Sequence, residues 1–93
     1  MDQSVPRPTY AIEFLPAAAR RLRKLPNDIQ RRLDHAILKL RDVPKPSGVK
    51  KLRSQGDRYR IRVGDYRIIY QIYNNKLIVL IVDVDHRKDI YRE

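Results

Sequence analysis

Apolar positions along the chain repeat with one period before residue 49 and another after it. In "TYAIEF", Tyr10, Ile12 and Phe14 alternate with Ala11 and Glu13, the two-residue period of a short strand. Pro16 fits the first turn of a helix, where its missing N–H does no harm. From 16 to 25, Ala18, Leu22 and Leu25 recur at helical spacing, with Arg20, Arg21, Arg23 and Lys24 on the outside. Pro26 breaks this helix, and Asn27 is placed to cap a second one over 28–42, whose buried stripe is Ile29, Leu33, Ala36, Ile37 and Leu40. So few residues join the two that an antiparallel hairpin is expected. The stretch "VPKPSG", with two prolines and a glycine, cannot extend it.

From Val49 onward the period is two. "VKKLRS" reads as extended, followed by a loop at 55–57. Strands are expected over 58–63, 66–73 and 76–84, joined by two-residue turns at Gly64-Asp65 and Asn74-Asn75, where Gly and Asn tolerate the positive φ such turns demand. "LIVLIV" is apolar on both faces and suits a central, covered strand. The expected fold is a single α+β domain over residues 1–93: an N-terminal strand, an antiparallel helix hairpin, then an antiparallel three-stranded C-terminal meander.

The turn at Gly64-Asp65 sets a register. It pairs Val63 with Tyr66, Arg62 with Arg67, Ile61 with Ile68, Arg60 with Ile69 and Tyr59 with Tyr70. Paired residues share a side, so Tyr59, Ile61, Val63, Tyr66, Ile68, Tyr70 and Ile72 form an apolar face for the helices. A slip of one residue would destroy that face, which supports the pairing. The opposite face carries Arg60, Arg62 and Arg67. Like charges directly opposed cost about 0.2–1 kcal/mol relative to a neutral pair. Two readings follow: a hydrated cationic surface, or a site where a phosphate between the guanidiniums converts repulsion into charge-assisted hydrogen bonds. The second turn is expected to pair Arg67 with Val82, Ile69 with Leu80 and Gln71 with Ile78. That adds Ile69, Ile78, Leu80, Val82 and Val84 to the arginine face. They need a cover, from a partner's helix or strand, from residues 1–8, or from Val49–Ser54.

Charge sharpens the choice of partner. Twenty-one Lys and Arg against 11 Asp and Glu leave a net charge of +10, and fourteen of the cations are Arg. The planar, forked guanidinium suits phosphate, so nucleic acid or an acidic protein is the expected partner. No apolar run approaches the ~18 residues of a membrane helix. The N-terminus has no basic-then-apolar signal pattern. With no cysteine there is no disulfide framework or thiolate metal site, and a cytoplasmic setting is expected.

The chain closes on "DVDHRKDIYRE". Asp83, Asp85, His86 and Asp89 are potential metal ligands, but Arg87 and Lys88 stand among them and the spacing fits no defined template, so no metal or cofactor is expected. Asp83 and Asp85 suit pairing with arginines equally well. If alternation continues to the end of the last strand, His86 falls on the Arg67 side. There it is placed for acid–base chemistry on a held anion, with Arg87 and Tyr91 just beyond; surface decoration is the other reading.

The stretch "YRIRVGDYRIIYQIYNNKLIVLIVDVDHRKDIYR" resembles the signature half of the RelE/ParE toxin superfamily, and its "YRIRVGDYRIIYQI" block resembles the RelE branch. The ending "HRKDIYR" is similar to that branch's "HR…VY", with a shorter interval before the tyrosine, and "LPAAARRLRKLP" fits the leading strand and helix hairpin more loosely. The resemblance implies a RelE-like microbial ribonuclease fold and a ribosome-dependent mRNA endonuclease. Such an enzyme cleaves by the substrate's own 2′-hydroxyl, needs no cofactor, and is held inactive by a small acidic RelB-like antitoxin. By motif it implies catalytic roles for Arg67, Arg87, Tyr91, His86 and Arg62, and RNA binding by Arg60, Arg62, Lys50, Lys51, Arg53 and Arg58. The cationic helix faces, with Arg20, Arg21, Arg23, Lys24, Arg31 and Arg32, then suit ribosomal RNA or remain an ordinary solvated surface. Two other functions stay open: a ParE-like DNA gyrase inhibitor without nuclease activity, and an inactive basic RNA-binding homologue.

Overall fold

The computed structural model describes residues 9–52 and 57–86. Strand β1 (Ala11–Phe14) leads into helices α1 (Pro16–Arg23) and α2 (Asn27–Lys39). Strands β2 (Lys50–Leu52), β3 (Arg58–Val63), β4 (Tyr66–Tyr73) and β5 (Ile78–His86) follow. They form one sheet in the order β1-β5-β4-β3-β2. β1 runs parallel to β5, with Ile12 beside Val79, while β5, β4, β3 and β2 are antiparallel neighbours. The extended reading of Val49–Ser54 is therefore a paired strand over its described part, Lys50–Leu52, and the "LIVLIV" run lies between two strands as its two-faced apolarity requires.

Both helices lie on one side of the sheet. Ala18 and Leu22 of α1 and Leu33 and Ile37 of α2, with Leu40 just past its end, bury against Ile61, Ile68, Tyr70, Val79, Ile81 and Val84. Two helix boundaries differ from the sequence expectation. Asn27 lies inside α2, with Pro26 in the capping position and no side-chain cap. Gln30 instead donates from Nε2 to the carbonyl of Leu25 at 2.9 Å and closes the end of α1. At its other end α2 stops at Lys39, because Leu40, Arg41 and Asp42 donate to carbonyls three residues back and tighten the chain into a turn.

The β3–β4 register agrees with the expected one at every position from Val63↔Tyr66 to Tyr59↔Tyr70. Gly64 holds φ +61, a left-handed conformation that favours glycine, and the end of the Arg32 side chain lies 3.1 Å from where a Cβ would be. The β4–β5 register departs from expectation. Residues 74–77 form a four-residue loop, closed by Leu77 at φ 53, so Tyr73 pairs with Ile78 and Gln71 with Leu80. A bulge then falls between Ile69 and Tyr70: Tyr70 pairs with Ile81, but Ile69 pairs with Asp83. The extra residue on β5 reverses the sides of everything beyond it. Val84 enters the core at 3% exposure instead of joining the arginine face. His86 pairs with Tyr66 on the helix side, and Arg67 faces Asp85 rather than Val82.

The Tyr70 hydroxyl is fully buried and donates to the carbonyl of Pro44 at 2.7 Å, pinning the segment after α2 to the sheet. Burial first, and then neighbouring Tyr59, raise its pKa above the usual 10.0. The unfolded chain gives up this proton sooner than the folded one. Stability is therefore insensitive to this group below pH 10 and falls as pH rises past it. Tyr70→Phe should cost about 1 kcal/mol in urea denaturation at neutral pH and should flatten the alkaline loss; an unchanged alkaline profile would contradict the assignment.

Candidate nucleic-acid interface

Three strands contribute cations to the sheet face away from the helices. β3 supplies Arg60 and Arg62 at positions two apart, hence on one side. β4 supplies Arg67 directly opposite Arg62. β2 adds Lys50 directly opposite Arg60. Together with Gly48 these four side chains line an open cleft of about 250 Å³, and no carboxylate lines it. At a separation of about 4 Å and an effective dielectric of about 20, a phosphate charge gains roughly 4 kcal/mol from each cation before desolvation is counted. The cleft is therefore suited to a phosphodiester.

Arg62 is exposed and Arg60 half-buried, whereas Arg67 is only 5% exposed. Arg67 is the one charged residue in the core of the described chain, and it is held by neighbours rather than free. Its register partner on the other flank is Asp85 of β5. Arg67 thus has an arginine as its register partner on β3 and a carboxylate, engaged by Arg21, as its register partner on β5.

Asp85 is tied in turn to α1. Arg21 donates from Nη1 to Asp83 at 3.0 Å and to Asp85. Two of the three carboxylates considered as metal ligands are thus engaged by an arginine, while the third, Asp89, lies outside the described residues. Burial is the main cause that raises the Asp85 carboxyl pKa, followed by its hydrogen bond with Asp83 and the Asp83 charge; Arg21 pulls the other way. Arg21 was legible only as a surface cation. Its contact with both carboxylates follows from the packing of α1 beside β5, two elements far apart in sequence.

Of the remaining expected site residues, Arg58 shares the arginine side one step further along, opposite Leu52 and Gln71. Lys51 pairs with Tyr59 and turns to the helix side. His86 does not join the Arg67 cluster; its ring meets Tyr66 edge-on, with centroids 5.0 Å apart. It borders a separate hollow of about 490 Å³ with Arg21, Lys24 and Leu25. Arg53, Arg87 and Tyr91 lie outside the described residues.

A helix hairpin on one face of a five-stranded mixed sheet, with a cationic cleft on the other, defines a small basic α+β protein. Residues 12–91 match the family model described as the ParE toxin of type II toxin–antitoxin systems, and the chain belongs to that toxin family. It is 36% identical over 84 residues to toxin RelG of Mycobacterium tuberculosis, covering 89% of this chain and 97% of that protein. It is 27% identical over 88 residues to the mRNA interferase toxin RelE of Escherichia coli, covering 90% of this chain and 92% of that one. The toxin in the crystal structure of the M. tuberculosis RelBE2 toxin–antitoxin complex superposes with a TM-score of 0.76 at 32% identity, over 85% of this chain and 92% of that chain. A mutant of E. coli RelE in its free state superposes at 0.74 with 26% identity, over 91% and 93% of the two chains. The RelE-like branch of the superfamily and its α+β fold are thereby established for this chain, a type II toxin.

The Arg21 bridge makes a pH-dependent prediction. The ionised form of Asp85 is disfavoured in the fold, so its cost is present at neutral pH and fades as pH falls toward the usual 3.8. Removing Arg21 leaves Asp83 and Asp85 facing each other. Arg21→Ala should lower Tm more at pH 7 than at pH 4 by thermal denaturation; equal losses would rule out the bridge as a charge-neutralising contact.

Proposed function

We propose that this toxin is a metal-independent endoribonuclease that cuts mRNA on the ribosome in the cytoplasm and is silenced by a small acidic RelB-like antitoxin. The supporting observation is the cleft of Lys50, Arg60, Arg62 and Arg67, cationic throughout and carried on a rigid sheet. The names of its relatives agree: RelE is an mRNA interferase, and the RelBE2 structure is a toxin–antitoxin complex.

The chemistry needs no nucleophile from the protein. The ribose 2′-oxygen attacks the adjacent phosphorus as the bond to the 5′-oxygen breaks, leaving a 2′,3′-cyclic phosphate and a 5′-hydroxyl. One group must take the 2′-hydroxyl proton, and one must give a proton to the departing 5′-oxygen. Arg62 and Arg67 hold the phosphate as its negative charge grows. Tyr91 takes the 2′-hydroxyl proton in this scheme, because His86 lies on the helix side of β5, away from Arg67, and the protonated tyrosine or solvent water returns a proton to the departing 5′-oxygen. A tyrosine can accept a proton only where cations lower its pKa from about 10. Arg87 stabilises charge and does not move protons, since guanidinium hardly deprotonates. Such limited acid–base equipment suits a substrate already bent into line for attack, as a ribosome-bound codon is. An acidic antitoxin would shield the same cations and lie over Ile69, Ile78, Leu80 and Val82 beside them, all half-buried in the free chain.

The family description, a ParE toxin, favours a second reading: inhibition of DNA gyrase by binding alone. A translating extract separates the two. The ribonuclease should cleave mRNA with EDTA-insensitive activity beyond the ribosome's own magnesium need and leave cyclic-phosphate ends. Arg60→Ala and Tyr91→Phe should each reduce cleavage about 10²-fold or more with Tm preserved. Toxicity that survives both changes, together with loss of gyrase supercoiling by the purified protein, would decide for the gyrase reading.

A further inference from the structure

A second cleft lies on the helix side of β3, between that strand and α2, with a volume of about 550 Å³. Its floor is apolar, formed by Leu40, Ile61 and Val63, while Arg32 and Lys39 of α2 stand exposed on its rim. No carboxylate lines it. It adjoins the sheet-face cleft, since Arg62 and Gly48 border both. Gly48 holds φ +84, and a Cβ built there meets nothing within 4 Å. The divide between the clefts is therefore bare backbone with open space above it, flanked by a guanidinium.

We propose that the two clefts form one track for single-stranded RNA. The chain passes from the phosphate grip on the sheet face, over Gly48 beside Arg62, into the α2–β3 cleft. There a flanking base covers the apolar floor while Arg32 and Lys39 hold the next phosphates. Several features favour RNA as the occupant. Cations stand in or at the rim of both clefts, and no carboxylate lines either. The volume lies within the ~300–1,000 Å³ range of pockets that enclose nucleotide-sized ligands. A flexible polyanion can also follow the bend around the edge of β3. The inference rests on reading the sheet-face cleft as an RNA site, and it adds a subsite for nucleotides beyond the scissile phosphate.

The test compares the full-length protein with an Arg32→Ala/Lys39→Ala double variant, both binding a fluorescent dodecanucleotide and a trinucleotide RNA across a salt series. Two lost phosphate contacts should flatten the slope of log affinity against log salt by about 1.4 for the dodecanucleotide, at about 0.7 per contact. The trinucleotide, which fills only the sheet-face cleft, should bind both proteins within twofold. An unchanged slope for the long RNA, or equal weakening of both lengths, overturns the track. So does a cleft that loses affinity for an acidic amphipathic peptide in the double variant while RNA binding is untouched. The same proteins are assayed for mRNA cleavage in the extract. If the wild type shows the length-dependent slope but no cleavage, the track stands and the ribonuclease reading falls. If it cleaves but the double variant binds both RNAs as the wild type does, the track alone falls.

Discussion

Two arginines face each other across the sheet, Arg62 on β3 and Arg67 on β4, because the other side of the same pairing leaves no alternative register. Ile61, Ile68 and Tyr70 must all meet the helices, and each is buried at 8% exposure or less. A slip of one residue would send them to solvent and bring the arginines into the core. The hydrophobic effect on one face thereby fixes a cationic cluster on the other. Gly64 makes this register reachable, since its turn needs a positive φ close against Arg32. The cationic cluster is thus a by-product of core packing in its position, though not in its residue types. Any hydrophilic residue could have occupied positions 60, 62 and 67, and all three are arginine.

The bulge in β5 sets the other flank of Arg67. By inserting one residue opposite the Ile69–Tyr70 step, it turns Asp83 and Asp85 toward the arginine side and Val84 and His86 toward the helices. Arg67 gains an acidic neighbour across the sheet, and Arg21 of α1 reaches both carboxylates. Arg67 thus has an arginine on one flank and a carboxylate on the other as its register partners.

Period and turn chemistry made most of the fold legible. Alternating Arg and apolar residues from 58 to 63 and from 66 to 72 fixed both the β3–β4 register and the cation cluster, and the resemblance of that block to the RelE branch agrees with the relatives found. The β4–β5 register was not legible. Asn74-Asn75 resembles a two-residue turn, yet the loop extends to Leu77, whose left-handed φ no apolar residue advertises. The bulge was hidden because Ile81, Val82 and Val84 offer apolar side chains for either face. Strand alternation carried through that stretch therefore placed His86 and Val84 on the wrong side. That Asp83 and Asp85 suit arginine partners was legible, but that the partner is Arg21, and that Gly48 stands open between two clefts, depend on elements distant in sequence.

The central claim is that the arginine cluster strains the free protein and is relieved by a bound polyanion. Thermal denaturation of wild type and Arg62→Gln, each with and without single-stranded RNA, tests it most directly. The account predicts that the variant alone is more stable, by the roughly 0.2–1 kcal/mol of an opposed like-charge pair, and that RNA raises Tm more for the wild type. A variant less stable than wild type in the free state, stabilised by RNA to the same extent, would contradict it.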